Sequence, residues 1–282
     1  MTAVQPAVGG SGTELPPAAD GPVPAAPPAI GARVPVGRST VRAALFDLDG
    51  LLVDSEPVWS VAEAEIMAWL GGPWNAGVKA ACLGRPIEVS CRELVRIAGS
   101  TVDPAAVQRR LLARMVDLFR ADLPWRPGAR ELLDALAARG VPLALVSSSY
   151  RVLVDAALET VGEYRFAATV AGDEVLHGKP HPEPYLTAAR RLGAEPSACV
   201  VFEDSPTGLA AGEAAGCYCV VVPDVVPVAD APGRTVLSSL VGLEIESPSA
   251  PESDANVRSG GFQLGLGPLR VAGNGTGCGP DR

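Results

Sequence analysis

An apolar run ends in Phe46-Asp47-Leu48-Asp49-Gly50-Leu51-Leu52-Val53-Asp54-Ser55, which sets two carboxylates two positions apart. In an extended chain, residues i and i+2 project to the same side. Close carboxylates repel, and both ionise readily only with a cation beside them. Gly50 lets the chain turn sharply after the pair. Taken alone, Asp-x-Asp-Gly serves equally well as a turn or a helix cap. Three further clusters narrow the choice. Val146-Ser147-Ser148-Ser149 offers hydroxyls and amides that can hold an anion, and a serine there can also cap the next helix. His177-Gly178-Lys179-Pro180-His181-Pro182 fixes a lysine between glycine and proline. Either that lysine is a solvated loop charge or it meets an anion. Val200-Val201-Phe202-Glu203-Asp204-Ser205 puts two acids directly after an apolar run, a second indication of a cation site.

These groups need a frame that brings them together. Short apolar runs at 41–46, 141–146, 167–171, 198–202 and 217–222 lack polar alternation, as strands buried on both faces do. Helical patterns separate them. One covers 129–139 and stops at Gly140, another covers 183–191 and stops near Gly193, and a third covers 207–215 and stops at Gly216. Alternating strand and helix predicts an α/β fold, a Rossmann-like parallel sheet core with helices on both faces. The chemistry-bearing residues then fall at the carboxyl ends of strands, where open α/β sheets bind ligands.

From Ser55 to Asp122 the rhythm breaks. Helical patterns at 61–70, 87–98 and 105–119 occur with no strand among them, which predicts an all-helical cap domain over 55–122 that can close over the sheet's carboxyl edge. The core domain is then 41–54 plus 123–246. Residues 1–40 and 247–282, rich in Pro, Gly, Ala and Ser, read as disordered tails without a functional role.

The chain has 282 residues, 48% of them hydrophobic, and a net charge of −9. That balance opposes binding to nucleic acid or to anionic lipid but not to a small phosphorylated molecule. The N-terminus lacks the basic start and apolar stretch of a signal peptide, and no apolar run is long enough to span a membrane. The six cysteines form no C-x-x-C pair. Free thiols suit a cytoplasmic location, with a disulfide framework or zinc site as the other possibility. His177 and His181 read as polar loop residues, and the tryptophans of the insertion as packing residues, with Trp59 the one nearest to a substrate. A monomer or weak dimer is expected.

The order Asp47-x-Asp49, Ser147, Lys179, Glu203-Asp204 resembles the four motifs of haloacid dehalogenase superfamily phosphatases. LFDLDGLLVDSEP, GKPHPEPY and VFEDSPTGLAAGEAAG are similar to the beta-phosphoglucomutase-like and sugar-phosphate phosphatase subgroup. The resemblance covers roughly residues 41 to 224 and leaves out the tails. It implies that Asp47 is a nucleophile forming an aspartyl phosphate, and that Asp49 is the general acid and then the base. It implies a Mg2+ ion held by Asp47, the Asp49 backbone carbonyl, Asp204 and Glu203. Ser147, with Ser148, and Lys179 would hold phosphate oxygens, and Arg85 stands where related caps carry a substrate-reading loop, unless it is an ordinary solvated arginine. The implied strand order is 5-4-1-2-3. The expected reaction is hydrolysis of a small phosphorylated metabolite, a sugar phosphate or nucleotide-like molecule. The alternative is a phosphosugar mutase, whose cap histidine is missing here: Trp59 stands near its place, and residues 55–122 contain no histidine.

Overall fold

The structure is a computed structural model that describes residues 41–224 and 226–243. The two tails expected from composition lie outside those residues, as do Cys278 and residues 244–246 of the expected core domain. The described part is an α/β fold in which five strands match the apolar runs: β1 (Ala43–Phe46), β2 (Leu143–Val146), β3 (Ala168–Val170), β4 (Cys199–Glu203) and β5 (Tyr218–Val221). A sixth, β6 (Arg234–Val236), pairs with β5 and extends the sheet to the order β3-β2-β1-β4-β5-β6, parallel throughout. With only three residues, one an arginine and one a threonine, β6 leaves no apolar run in the sequence. The other five strands stand in the 5-4-1-2-3 order that the resemblance implied.

Burial on both faces explains why the strand residues do not alternate with polar ones. Ala44 and Phe46 of β1, with Val200 and Phe202 of β4, face one apolar cluster, while Ala43, Leu45, Cys199 and Val201 face the other. Phe46 and Phe202 stack with ring centroids 4.6 Å apart, locking β1 to β4 one residue before the acidic motifs begin.

Helices α1 (Glu56–Leu70), α2 (Ala76–Cys82), α3 (Ile87–Ala98) and α4 (Pro104–Ala121) form the insertion between β1 and α5 (Ala129–Ala137). α2, unforeseen because it spans only seven residues, is capped by Asn75, whose Oδ1 accepts from the Gly77 and Val78 amides. The core continues with α6 (Arg151–Val161), α7 (Glu183–Arg191) and α8 (Pro206–Ala214). α5 and α6 pack on one face of the sheet and α7 and α8 on the other. α6 was unread in the sequence. Its N-cap is Tyr150 and not a serine, with no side-chain cap, so the Ser147–Ser149 run is left for other work.

The two crossings between core and cap run antiparallel side by side. The Asp54 amide donates to the Pro124 carbonyl and the Arg126 amide to the Leu52 carbonyl, both at 2.8 Å. Across the far side of the cap, Tyr150 donates to Glu88 of α3 and accepts from Gln108 of α4, and Arg120 pairs with Glu159 of α6. These contacts tie the helical insertion to α6 and to Tyr150 just before it. Among the described residues, no helix is long and apolar enough to cross a membrane.

Candidate active site

Parallel pairing puts β1 between β2 and β4, so the residues leaving these three strands meet. Asp47 directly follows β1 and its side chain is almost wholly buried. Lys179 reaches it from the loop before α7: Nζ donates to Asp47 Oδ1 at 2.5 Å, to Glu203 Oε1 at 2.6 Å and to the Val146 carbonyl at 3.0 Å. All three ammonium protons are therefore spent on fixed acceptors, and the side chain is 4% exposed. The reading of Lys179 as a solvated loop charge does not hold.

Glu203, the last residue of β4, has no exposed surface. Its Oε1 accepts from Lys179 and from the Tyr185 hydroxyl at 2.5 Å, and its Oε2 accepts from the Asp204 and Ser205 amides and the Ser205 hydroxyl. Five donors exceed the roughly four lone-pair sites of a carboxylate. Glu203 thus holds Lys179 in position and has little left to offer an ion. Gly208 makes room for it: a Cβ there would stand 1.8 Å from Glu203 Oε1.

Asp49 points into a different environment. Its Oδ1 accepts from the Ser55 hydroxyl at 2.7 Å, and its Oδ2 from the hydroxyls of Ser147 at 3.1 Å and Ser149 at 2.8 Å. Two aspartates two residues apart are thus held by two separate sets of donors, Asp47 by an ammonium and Asp49 by three hydroxyls. Ser55 and Ser149 were not singled out in the sequence. The signal was present for Ser149, because residues i and i+2 share a side in extended chain, which pairs Ser147 with Ser149 and turns Ser148 away. Ser148 is exposed, and no hydrogen bond of its side chain joins it to this cluster. Arg85 is exposed on the loop between α2 and α3, and its guanidinium makes no hydrogen bond or ion pair among the described residues. Among the described residues, neither side chain makes a hydrogen bond to Asp47 or Asp49.

Asp47, Glu203 and Asp204 offer carboxylate oxygens within 4.8 Å of one another, against the single ammonium of Lys179. The imbalance shows in their protonation. Burial, with Glu203 and Asp49 nearby, pushes Asp47 up to about 8 despite Lys179. Burial, with Asp47 and Glu203, pushes Asp204 up to about 9. For Lys179, burial works against the charge, but Asp47 and Glu203 outweigh it and hold the ammonium above its ordinary value. A divalent cation fits this donor set: Asp47 keeps Oδ2 free of Lys179, and Asp204 lies across Gly50, where a Cβ would come within 2.2 Å of Asp204 Oδ2. Gly50 also has φ of +86°, so both conformation and close approach require glycine.

The raised values set the direction of a pH effect. A carboxyl whose native value exceeds its unfolded 3.8 contributes stability that is complete below 3.8 and is lost as pH rises toward the native value. Without divalent ions the melting temperature should fall between pH 6 and pH 9, and Mg2+ should raise it by an increment that grows with pH. Thermal denaturation in chelator and in Mg2+ at several pH values measures this. An increment that is flat or shrinks with pH would remove the cation from these oxygens.

Residues 41–216 match the haloacid dehalogenase-like hydrolase family. The chain belongs to this family. Among characterised relatives of this haloacid dehalogenase-like hydrolase, validoxylamine A 7'-phosphate phosphatase of Streptomyces hygroscopicus subsp. limoneus is 37% identical over 181 residues, 64% of this chain and 84% of that protein. Hexitol phosphatase B of Escherichia coli K12 is 32% identical over 219 residues, 71% of this chain and 90% of that protein. The crystal structure of a putative beta-phosphoglucomutase from Thermotoga maritima superposes with a TM-score of 0.60 at 29% identity, covering 71% of this chain and 94% of that one.

Proposed function

We propose that this haloacid dehalogenase-like hydrolase is a Mg2+-dependent phosphomonoesterase for a small phosphorylated polyol or carbohydrate, working through an aspartyl phosphate on Asp47. The observation that carries the reading is the separation of roles: Asp47 is buried on Lys179 beside Asp204, while Asp49 is held apart by three hydroxyls. The phosphatase names of the two relatives support the same class.

In the first step an Asp47 oxygen attacks phosphorus, the ester P–O bond breaks, and protonated Asp49 gives its proton to the departing alkoxide. In the second, Asp49 takes a proton from water, the water oxygen attacks phosphorus, and the bond to Asp47 breaks to release inorganic phosphate. Lys179 stabilises charge spread over the phosphoryl oxygens. The Ser147 hydroxyl can turn from Asp49 to a phosphoryl oxygen. Mg2+, held by Asp47, Asp204 and the Asp49 carbonyl, would neutralise the phosphate and align it for in-line attack. The helical insertion acts as a cap that selects the substrate and excludes water, with the paired crossings at residues 52–54 and 124–126 as its hinge. The buried free cysteines among the described residues suit a reducing, cytoplasmic compartment.

The likeness to a putative beta-phosphoglucomutase keeps one second reading in view, a phosphosugar mutase. A mutase needs a cap group to help the acceptor hydroxyl, and this cap has no histidine. Trp59 is partly buried against the apolar core and has only an indole N–H to offer. Product analysis decides between them. With purified protein, Mg2+ and a panel of sugar and polyol phosphates, inorganic phosphate should be the product, chelator should stop it and Mg2+ restore it. With beta-glucose 1-phosphate and glucose 1,6-bisphosphate, glucose 6-phosphate forming faster than inorganic phosphate would establish the mutase instead.

Asp49→Asn is expected to separate the two steps. With an activated ester that needs no acid, such as p-nitrophenyl phosphate, Asp47 should still be phosphorylated, and the adduct should persist because no base activates water. Intact-mass spectrometry checks for an added phosphoryl group. Steady turnover with no adduct would show that another group acts as the base.

A further inference from the structure

The chain contains two histidines, and both stand in one loop, His177 and His181, on either side of Lys179. Their rings lie face to face at a tilt, with centroids 4.5 Å apart. Glu183, the first residue of α7, completes the group: one donor atom from each of the three lies within 4.8 Å of the others. The carboxylate is already fixed. Oε1 accepts from the Leu176 amide at 2.9 Å, and Oε2 accepts from the His177 amide and meets His177 Nδ1, both at 3.0 Å. The Leu176 amide, together with His177, holds the Glu183 carboxyl below its ordinary range, so it is ionised at neutral pH.

His177 Nδ1 and Glu183 Oε2, 3.0 Å apart, have the spacing of two atoms that share one ion at about 2.1 Å from each, so an ion can take the place of the proton between them. The Glu183 amide donates to His181 Nδ1 at 3.2 Å, so that nitrogen holds the ring's lone pair at the start of α7, where an ion would displace this long hydrogen bond. Both histidines are exposed, so an ion can reach them from solvent. Two imidazoles with one carboxylate favour divalent zinc and its neighbours over magnesium or calcium, which prefer oxygen-only shells. Burial pushes Cys82 up to about 11 and Cys91 and Cys219 up to about 12, so these three thiols compete poorly.

We propose that His177, His181 and Glu183 form a second metal site, for Zn2+ or a similar transition-metal ion, separate from the acidic cluster at Asp47 and Asp204. An ion there joins both arms of the loop that carries Lys179 and ties them to the start of α7.

The test is Zn2+ binding to the full chain in excess Mg2+, which occupies the acidic cluster. Wild type should bind one Zn2+ that His177→Gln and His181→Gln each weaken by about tenfold or more, while Asp204→Asn retains it. Equal Zn2+ binding in all four proteins, or a loss confined to Asp204→Asn, would overturn the site. A second measurement uses wild type alone. With only two histidines, ring NMR signals report the site directly, and both imidazoles should shift together on adding Zn2+ and broaden with Co2+. Ring signals unmoved by saturating Zn2+ would equally overturn it.

Discussion

Asp47→Asn should lose at least about three orders of magnitude in phosphatase turnover while remaining folded. An amide has no anionic oxygen to attack phosphorus and cannot become an acyl phosphate, so the covalent route closes entirely, and what remains is the rate that binding alone provides. Stability should change little, because two effects oppose. Asparagine forfeits the charge on Lys179, yet burial and neighbouring carboxylates already penalise the ionised aspartate, as its value of about 8 shows. Melting in chelator should therefore stay within about 1 kcal/mol of wild type, or about 2–4 °C for a domain of this size. The two readouts must be taken together. Retention of more than a tenth of wild-type rate, a barrier change of about 1.4 kcal/mol or less, would refute the nucleophile. Collapse of the fold would make Asp47 chiefly a structural partner of Lys179.

The parts of this site that were legible in the sequence are those that depend on strand ends. Apolar runs located β1, β2, β4 and β5 because both faces of each are buried, and the chemistry-bearing side chains directly follow or close three of them. The insertion was legible by exclusion, since its helices carry no strand between them. What escaped depends on contacts between distant elements. Ser55 looks like any residue entering a helix, and only the turn through Gly50 returns it to Asp49. Ser149 was obscured by standing in a run of three identical residues, where only the side-chain direction separates the useful pair from Ser148. Tyr185 is an apolar-looking helix residue until its hydroxyl meets Glu203. Glu203 itself was read as an ion ligand from its place beside Asp204, but its five hydrogen-bond donors come from the lysine loop, α7 and the turn into α8, none of which strand periodicity can reveal.

Lys179→Met should cost both rate and stability, and the stability cost should depend on pH. Methionine fills the volume of the lysine stem but leaves Asp47 Oδ1 and Glu203 Oε1 facing one another without the shared ammonium that now stands 2.5 Å and 2.6 Å from them. Removing one partner of a buried charge group costs about 3–5 kcal/mol when the other must remain ionised. Here the carboxyls have an escape, which is to take up protons. Without Lys179, Asp47 must rise further above its unfolded value, and Glu203 loses the ammonium that now helps to hold it below its ordinary range, so the penalty is absent at low pH and grows as pH climbs through neutrality. Melting in chelator should show wild type and variant close together near pH 5 and well separated at pH 8, with Glu203→Gln in the same background recovering part of the loss. Turnover should fall by about 10²–10³, as for loss of one preorganised donor to a developing negative charge. Because protonated Asp47 cannot attack, the rate of the variant should recover partly at high pH, the opposite direction to its stability. A variant that melts like wild type at every pH would mean that solvent already screens the Lys179 cluster, and that the burial of this ammonium is not what holds the three strand ends together.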